Sequence, residues 1–225
     1  SDTGQTTGSG DSGSASSAFP CSGAGFVAFA NRLVEETRKA CNQTTPPPSC
    51  QDVFGNETPD QCNSTGPGVV SESNHACMRI AINAIAPPHP DAAFAEVTKW
   101  AVSHQPFPST LLQCFEFDYI VTAAVCGQPV PVDLNSTIPL GAGGIPGYAA
   151  FRRGSTPPRA GDIVVYQYHV GMVESVVDAS SFRVVEANYL TSSGGSYPNH
   201  DTGAVSNTRI DTVNNSELQY LIRKQ

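Results

Sequence analysis

Cysteines stand at positions 21, 41, 50, 62, 77, 114 and 126 of this 225-residue chain, seven in all. An odd number cannot all pair, and no two have the Cys-x-x-Cys spacing that clamps zinc. If disulfides form, three can close and one thiol is left, so the question is which cysteine has chemistry to do. A free cysteine has a pKa of about 8.5 and needs a helix N-terminus, an imidazolium or both to act as a nucleophile at neutral pH. The apolar run that ends at Cys126 and Gly127 reads as a helix opened by Ser109 or Thr110, with Gly127 as its stop. Cys114 falls in its first turn or two, where unpaired N–H groups and the helix dipole favour negative charge; Cys126 lies at the disfavoured end. Cys114 is therefore the expected free thiol and nucleophile.

The partner base must be a histidine, and of His75, His89, His104, His169 and His200 only His169 falls in a clear strand pattern, His169 to Val177. Alternation puts Gly171 and Val173 on its face, with Gly171 leaving space beside the ring. The next strand, Phe182 to Ala187, carries Glu186 and, two residues on, Asn188 on one face, while Val185 and Ala187 point the other way. Two polar groups on one side of an apolar strand need a partner. A carboxylate or amide accepting Nδ1–H of His169 would leave Nε2 to face a thiol, which makes a Cys–His–acid arrangement for covalent catalysis.

These residues sit in recognisable motifs. Gln113-Cys114-Phe115 at a helix start, Pro158-Arg-Ala-Gly-Asp-Ile-Val-Val-Tyr166 ahead of a strand, His169-Val-Gly-Met-Val173 and Val185-Glu-Ala-Asn188 follow one another in order. Over residues ~95–225 the chain resembles the CHAP domains, the cysteine, histidine-dependent amidohydrolases/peptidases. The resemblance implies a papain-like scaffold, with Cys114 as nucleophile, His169 as general base, Glu186 as orienting acid and Asn188 as a further polar member. It also implies amide-bond cleavage through a thioester acyl-enzyme, with a peptide or the peptide part of peptidoglycan as substrate. An NlpC-type peptidase would share the Cys–His pair, but the Glu186-x-Asn188 pattern argues against it.

The elements that must hold this site are helices first and strands afterwards. Phe26, Phe29, Ala30, Leu33, Val34 and Thr37 recur at helical spacing opposite Arg32, Glu35 and Arg38. Ser73 opens a second helix to Ile85, and Asp91 caps a third that ends before Pro106. Strands at 163–166, 169–177 and 182–187 form a meander turning at Asp178–Ser181, and Leu218 to Ile222 adds another. Helices followed by strands indicate an α+β fold. Three parts are expected: a flexible Ser/Gly-rich tail (1–19), a disulfide-stapled helical segment (20–94) and the catalytic domain (95–225). Residues 42–70 hold few large aliphatics, so a core of their own is out of reach and staples must serve, with Cys126 the expected tie from the catalytic helix to that segment.

Twelve Lys and Arg against 20 Asp and Glu give a net charge of −8, which repels phosphate backbones, so no nucleic-acid partner is expected. No apolar run reaches the roughly 18 residues of a membrane span, and no membrane insertion is expected. Five N-x-S/T sequons, at Asn42, Asn56, Asn63, Asn135 and Asn214, and the cysteine count fit a secreted or cell-surface protein. Asp133 and Asp162 lack the closely spaced carboxylates calcium prefers, so neither metal nor cofactor is expected. Glu116 and Asp118, at i and i+2 of a helix, face apart and do not make a glycosidase pair. An alternative is a surface or assembly protein with a vestigial CHAP site, which the acidic charge favours over a free wall-lytic enzyme.

Overall fold

Helices occupy the first half of the chain and strands the second, the α+β order read from the sequence. The computed structural model describes residues 18–43, 74–103, 114–134, 144–187 and 205–225. The N-terminal tail up to residue 17, the loop at 44–73, the helix opening at Ser109 or Thr110, Gln113, and Asn188 lie outside the described residues.

The helices are α1 (Gly23–Gln43), α2 (Asn74–Ile85), α3 (Pro90–Ser103) and α4 (Cys114–Cys126). In α1 the expected stripe of Phe26, Phe29, Ala30, Leu33, Val34 and Thr37 is buried. Its outer face carries Arg32 and Lys39 paired with Glu35 and Glu36 at i, i+3 and i, i+4 spacings. The third helix starts one residue earlier than the expected cap at Asp91. Pro90 takes the first helical position, where a missing N–H is harmless, and the His89 carbonyl accepts the bond from Ala93 N at 3.2 Å. All of α4 from Phe115 to Val125 is buried, so it runs through the middle of the molecule.

Six antiparallel strands follow: β1 (Tyr148–Arg152), β2 (Ile163–Tyr166), β3 (Val170–Val176), β4 (Ser181–Ala187), β5 (Val205–Thr212) and β6 (Leu218–Lys224), in the order β1-β6-β2-β3-β4-β5. The β3–β4 turn is held by Asp178 Oδ1, which accepts from the N–H groups of Ser180 and Ser181, both at 2.8 Å. One sheet face, with Val165, Val170, Met172, Val185 and Ala187, shares a continuous core with α1, α2, α3 and α4. The other gathers Val164, Tyr166, Val173, Phe182, Val184, Leu218 and Leu221. Two strands go beyond the sequence reading, β1 and β5. Both are edges of the sheet, where one ladder side is unpaired and the inward alternation of apolar residues is relaxed.

Two close contacts seat α1 on the sheet domain. Cys21, just ahead of α1, is disulfide-bonded to Cys126 at the end of α4, the cross-tie expected of Cys126. Gly161 has φ +86° and packs so closely on the start of α1 that a Cβ there would collide with the backbone of Gly23. Next to it, buried Asp162 receives Arg223 from β6 through Nε and Nη2, both at 2.7 Å, and the Arg159 N–H at 2.8 Å. The Arg-Ala-Gly-Asp motif is thus a joint between β6, the approach to β2 and α1.

Candidate active site

Cys114 is the first residue of α4 in the described chain and the free cysteine among the described residues, whereas Cys21, Cys77 and Cys126 are disulfide-bonded. Its helix start is braced by aromatic packing. The Trp100 ring meets Phe115 edge-on at 5.0 Å and stacks on Tyr119 at 5.3 Å. Tyr119 Oη donates to the Val132 carbonyl at 2.6 Å and accepts from Leu134 N–H at 2.8 Å. That loop is folded back so that Leu134 walls the cavity into which both Cys114 and His169 open, a space of about 660 Å³.

Burial pushes the Cys114 thiol up to about 11; the N–H of Val170 pulls it back, Asp118 adds to the rise, and the N–H groups of Phe115 and Cys114 at the helix start lower it. A thiol at about 11 is ionised at pH 7 in only about one molecule in 10⁴. The helix terminus alone does not make this sulfur a nucleophile, and a base must take its proton.

His169 precedes β3 instead of lying within it, and its ring is held by Glu186 on β4: Nε2 to Oε2 is 2.8 Å. This corrects the expected orientation, in which Nδ1 meets the acid and Nε2 the thiol. The reason lies at Gly171. The space expected beside the imidazole is filled by Val184 and the acid, for a Cβ on Gly171 would lie 2.7 Å from Val184 Cγ1, 3.1 Å from Glu186 Cβ and 3.2 Å from Glu186 Oε2. The carboxylate therefore sits two residues along the strand from His169, and the outer ring nitrogen is the one that spans the gap. A side chain at 171 would push Val184 aside and press on Glu186.

Glu186 is buried and adjoins a shift of register between Val184 and Glu186 in the β4–β5 ladder. A further residue meets it that the sequence reading missed. Arg209 on β5 donates through Nε to Oε1 at 2.7 Å and through Nη2 to Oε2 at 2.6 Å. Burial raises the Glu186 carboxyl, but the Arg209 fork and His169 outweigh it and hold the group below the usual range. The guanidinium is itself paired with Asp211 and lies 4.9 Å above the Tyr166 ring, which stacks on His169 at 5.9 Å. The one available signal was Arg209-x-Asp211, two opposite charges on one strand face, in a segment too polar to read as a strand.

Asp118 lies one turn below Cys114 and is fully buried, and neither carboxyl oxygen has a hydrogen-bond partner among the described residues. Burial raises this carboxyl well above its ordinary range, and the charge of Glu186 raises it further. Of the two acids, burial and the neighbouring charge favour the proton on Asp118, while Arg209 and His169 favour the anion at Glu186. The proton is held more tightly in the folded chain, so stability is fullest below the ordinary Asp pKa and falls as pH rises toward the folded one. Asp118→Asn should thus gain in thermal midpoint over the native chain as pH is raised above about 4, by at most about 3–6 °C per pH unit. Melting curves at pH 4, 6 and 8 check this; a constant offset would refute the buried acid.

The other candidates are used elsewhere. His75 Nε2 meets Glu116 at 2.6 Å in a fully buried pair that ties α2 to α4, so Glu116 and Asp118 do not share a site. The His89 ring packs against Gly127. Asp162 is taken up by Arg223, and His104, Asn188 and His200 lie outside the described residues.

A thiol at a helix start laid against an antiparallel sheet that carries a histidine and its acid defines an α+β, papain-like scaffold. Over residues 104–188 the chain matches the family model of the CHAP domain, the family its motifs resemble. CHAP domains are generally hydrolases, amidases or peptidases, often linked to cell walls and often extracellular. No curated protein and no solved structure matches the chain. No described helix is long and apolar enough to cross a membrane.

Proposed function

We propose that the protein is a secreted cysteine amidohydrolase or peptidase that cleaves amide bonds in peptidoglycan peptides. The observation that carries the reading is the joint opening of Cys114 and an acid-bound His169 onto one cavity, beside the helix start. His169 Nδ1, the ring nitrogen turned from Glu186, takes the Sγ proton as sulfur attacks the carbonyl carbon. The N–H of Cys114 belongs to the helix start, where N–H groups lack intrahelical acceptors, and it donates to the developing oxyanion. The C–N bond then breaks with transfer of that proton from His169 to the leaving amine, and a thioester remains. Water, deprotonated by His169, attacks the thioester, releasing the acid and restoring the thiol. Glu186 keeps the ring in register and offsets the imidazolium charge, and Asn188 is carried over from the family resemblance as a further polar member.

Residues 20–94 would act as a stapled helical layer on the catalytic part, 95–225. That division falls within α3, so the two parts share a helix, a core and the Cys21–Cys126 bond.

Purified peptidoglycan and synthetic stem peptides test the proposal. Each cut should create one new carboxylate on the acyl side and one new amine on the other, and mass spectrometry locates the bond. Intact substrate at enzyme concentrations that label Cys114 with a thiol reagent would defeat it.

A further inference from the structure

Glu186 would be hard to keep as an anion where it lies. It is 1% exposed, and the titratable groups around it come from several elements: His169 ahead of β3, Arg209 and Asp211 on β5, Tyr166 on β2, and Asp118 and Cys114 on α4. Burial opposes its charge. Of its hydrogen bonds, two come from one guanidinium, and both of its oxygens are met by it. Only Oε2 is shared with His169.

We infer that Arg209 is a positioning residue of the active site: its two-pronged bond fixes the plane of Glu186 and keeps it an anion, so that Oε2 accepts from His169 and the ring stays aimed at Cys114. The inference rests on the proposed hydrolase reading for its effect on turnover, but not for its effect on the thiol. The rest of the geometry fits a device of this kind. Arg209 is only 9% exposed at its side chain, paired with Asp211 and laid on Tyr166. Tyr166 in turn stacks on His169, so one aromatic ring supports both ends of the relay. An arginine that served only to close the β4–β5 edge would not need to reach both oxygens of an acid already bound to a histidine. The planar fork is what arginine offers over lysine at such a site.

The test uses the full disulfide-bonded chain and two readouts, turnover of stem peptide and the rate of Cys114 alkylation by iodoacetamide, each as a function of pH. Arg209→Met removes charge and fork. Glu186 then ionises only at higher pH, so the acidic limb of both profiles should move up by about one pH unit or more, and kcat should fall about 100-fold. Arg209→Lys keeps charge but not the fork; its limb should stay near the native position while kcat falls about tenfold. In a Glu186→Gln background, Arg209→Met should move neither limb, because no carboxyl remains to titrate there. Unmoved limbs in Arg209→Met, or an equal shift in the Glu186→Gln background, would overturn the inference. Should Arg209→Met not fold, Arg209→Lys decides alone: native kcat, or a limb displaced upward, would refute it. A native protein that cleaves no peptide, yet shows the alkylation shift, would leave Arg209 in place and remove the hydrolase reading.

Discussion

Replacing Cys114 with Ser or Ala should lower turnover by a factor of about 10⁴ or more while leaving the thermal midpoint within about 2 °C of the native value. The chemical half of this expectation follows from place: Cys114 opens onto the cavity that His169 also lines, while Cys21, Cys77 and Cys126 are held in disulfides. Serine would have to lose a proton far less acidic than that of a thiol already raised to about 11. The structural half follows from position. Cys114 is the first residue of α4, at the wall of a cavity, and its Sγ can be replaced by Oγ, or removed to leave the Cβ methyl, with little loss of packed volume. Stem-peptide hydrolysis and a melting curve on the same sample check both halves. Activity within tenfold of native in either variant would remove Cys114 from the mechanism, and a large fall in midpoint would make it a core residue.

What the sequence made legible is the part of the site that lies on regular elements. An odd cysteine near a helix start, a histidine at the edge of an alternating strand and a lone acid on its neighbour each break a pattern otherwise governed by burial, and such breaks stand out in one dimension. The free state of Cys114 and the tie through Cys126 followed from counting and end-to-end polarity. Three features did not follow. The ring orientation of His169 depends on where along β3 the acid arrives, a register set by pairing and not by either strand alone. The role of Arg209 was hidden because β5 is an edge strand whose inward face is Arg209 and Asp211, so it carries no apolar alternation to announce it. Asp118 looked like one more helical carboxylate; only the packing of α4 through the centre shows it to be sealed off. The same edge-strand argument covers β1, where four of the five residues are only half-buried.

The second large effect is expected at His169, and the contrast with Glu186 carries the information. His169→Ala removes the base outright and should cost about 10³–10⁴ in kcat. Glu186→Gln should cost less, about 10–100-fold, for a reason specific to this site. An amide in place of an acid can turn its NH₂ toward the histidine, force the wrong tautomer and lose as much as a missing base. Here Arg209 governs the choice. With the amide oxygen at the Oε2 position, His169 Nε2–H and Arg209 Nη2–H both find an acceptor, and only Arg209 Nε faces an NH₂. With the amide reversed, both of those donors would face NH₂ hydrogens in a buried site, at about 1–3 kcal/mol for each unsatisfied group. The oxygen therefore stays on His169, the tautomer survives, and what is lost is the electrostatic support of the imidazolium. Parallel measurements of kcat on stem peptides for the two variants check the order. Equal losses would show that the introduced amide presents its NH₂ to the ring, and with it that the Arg209 fork does not control position 186.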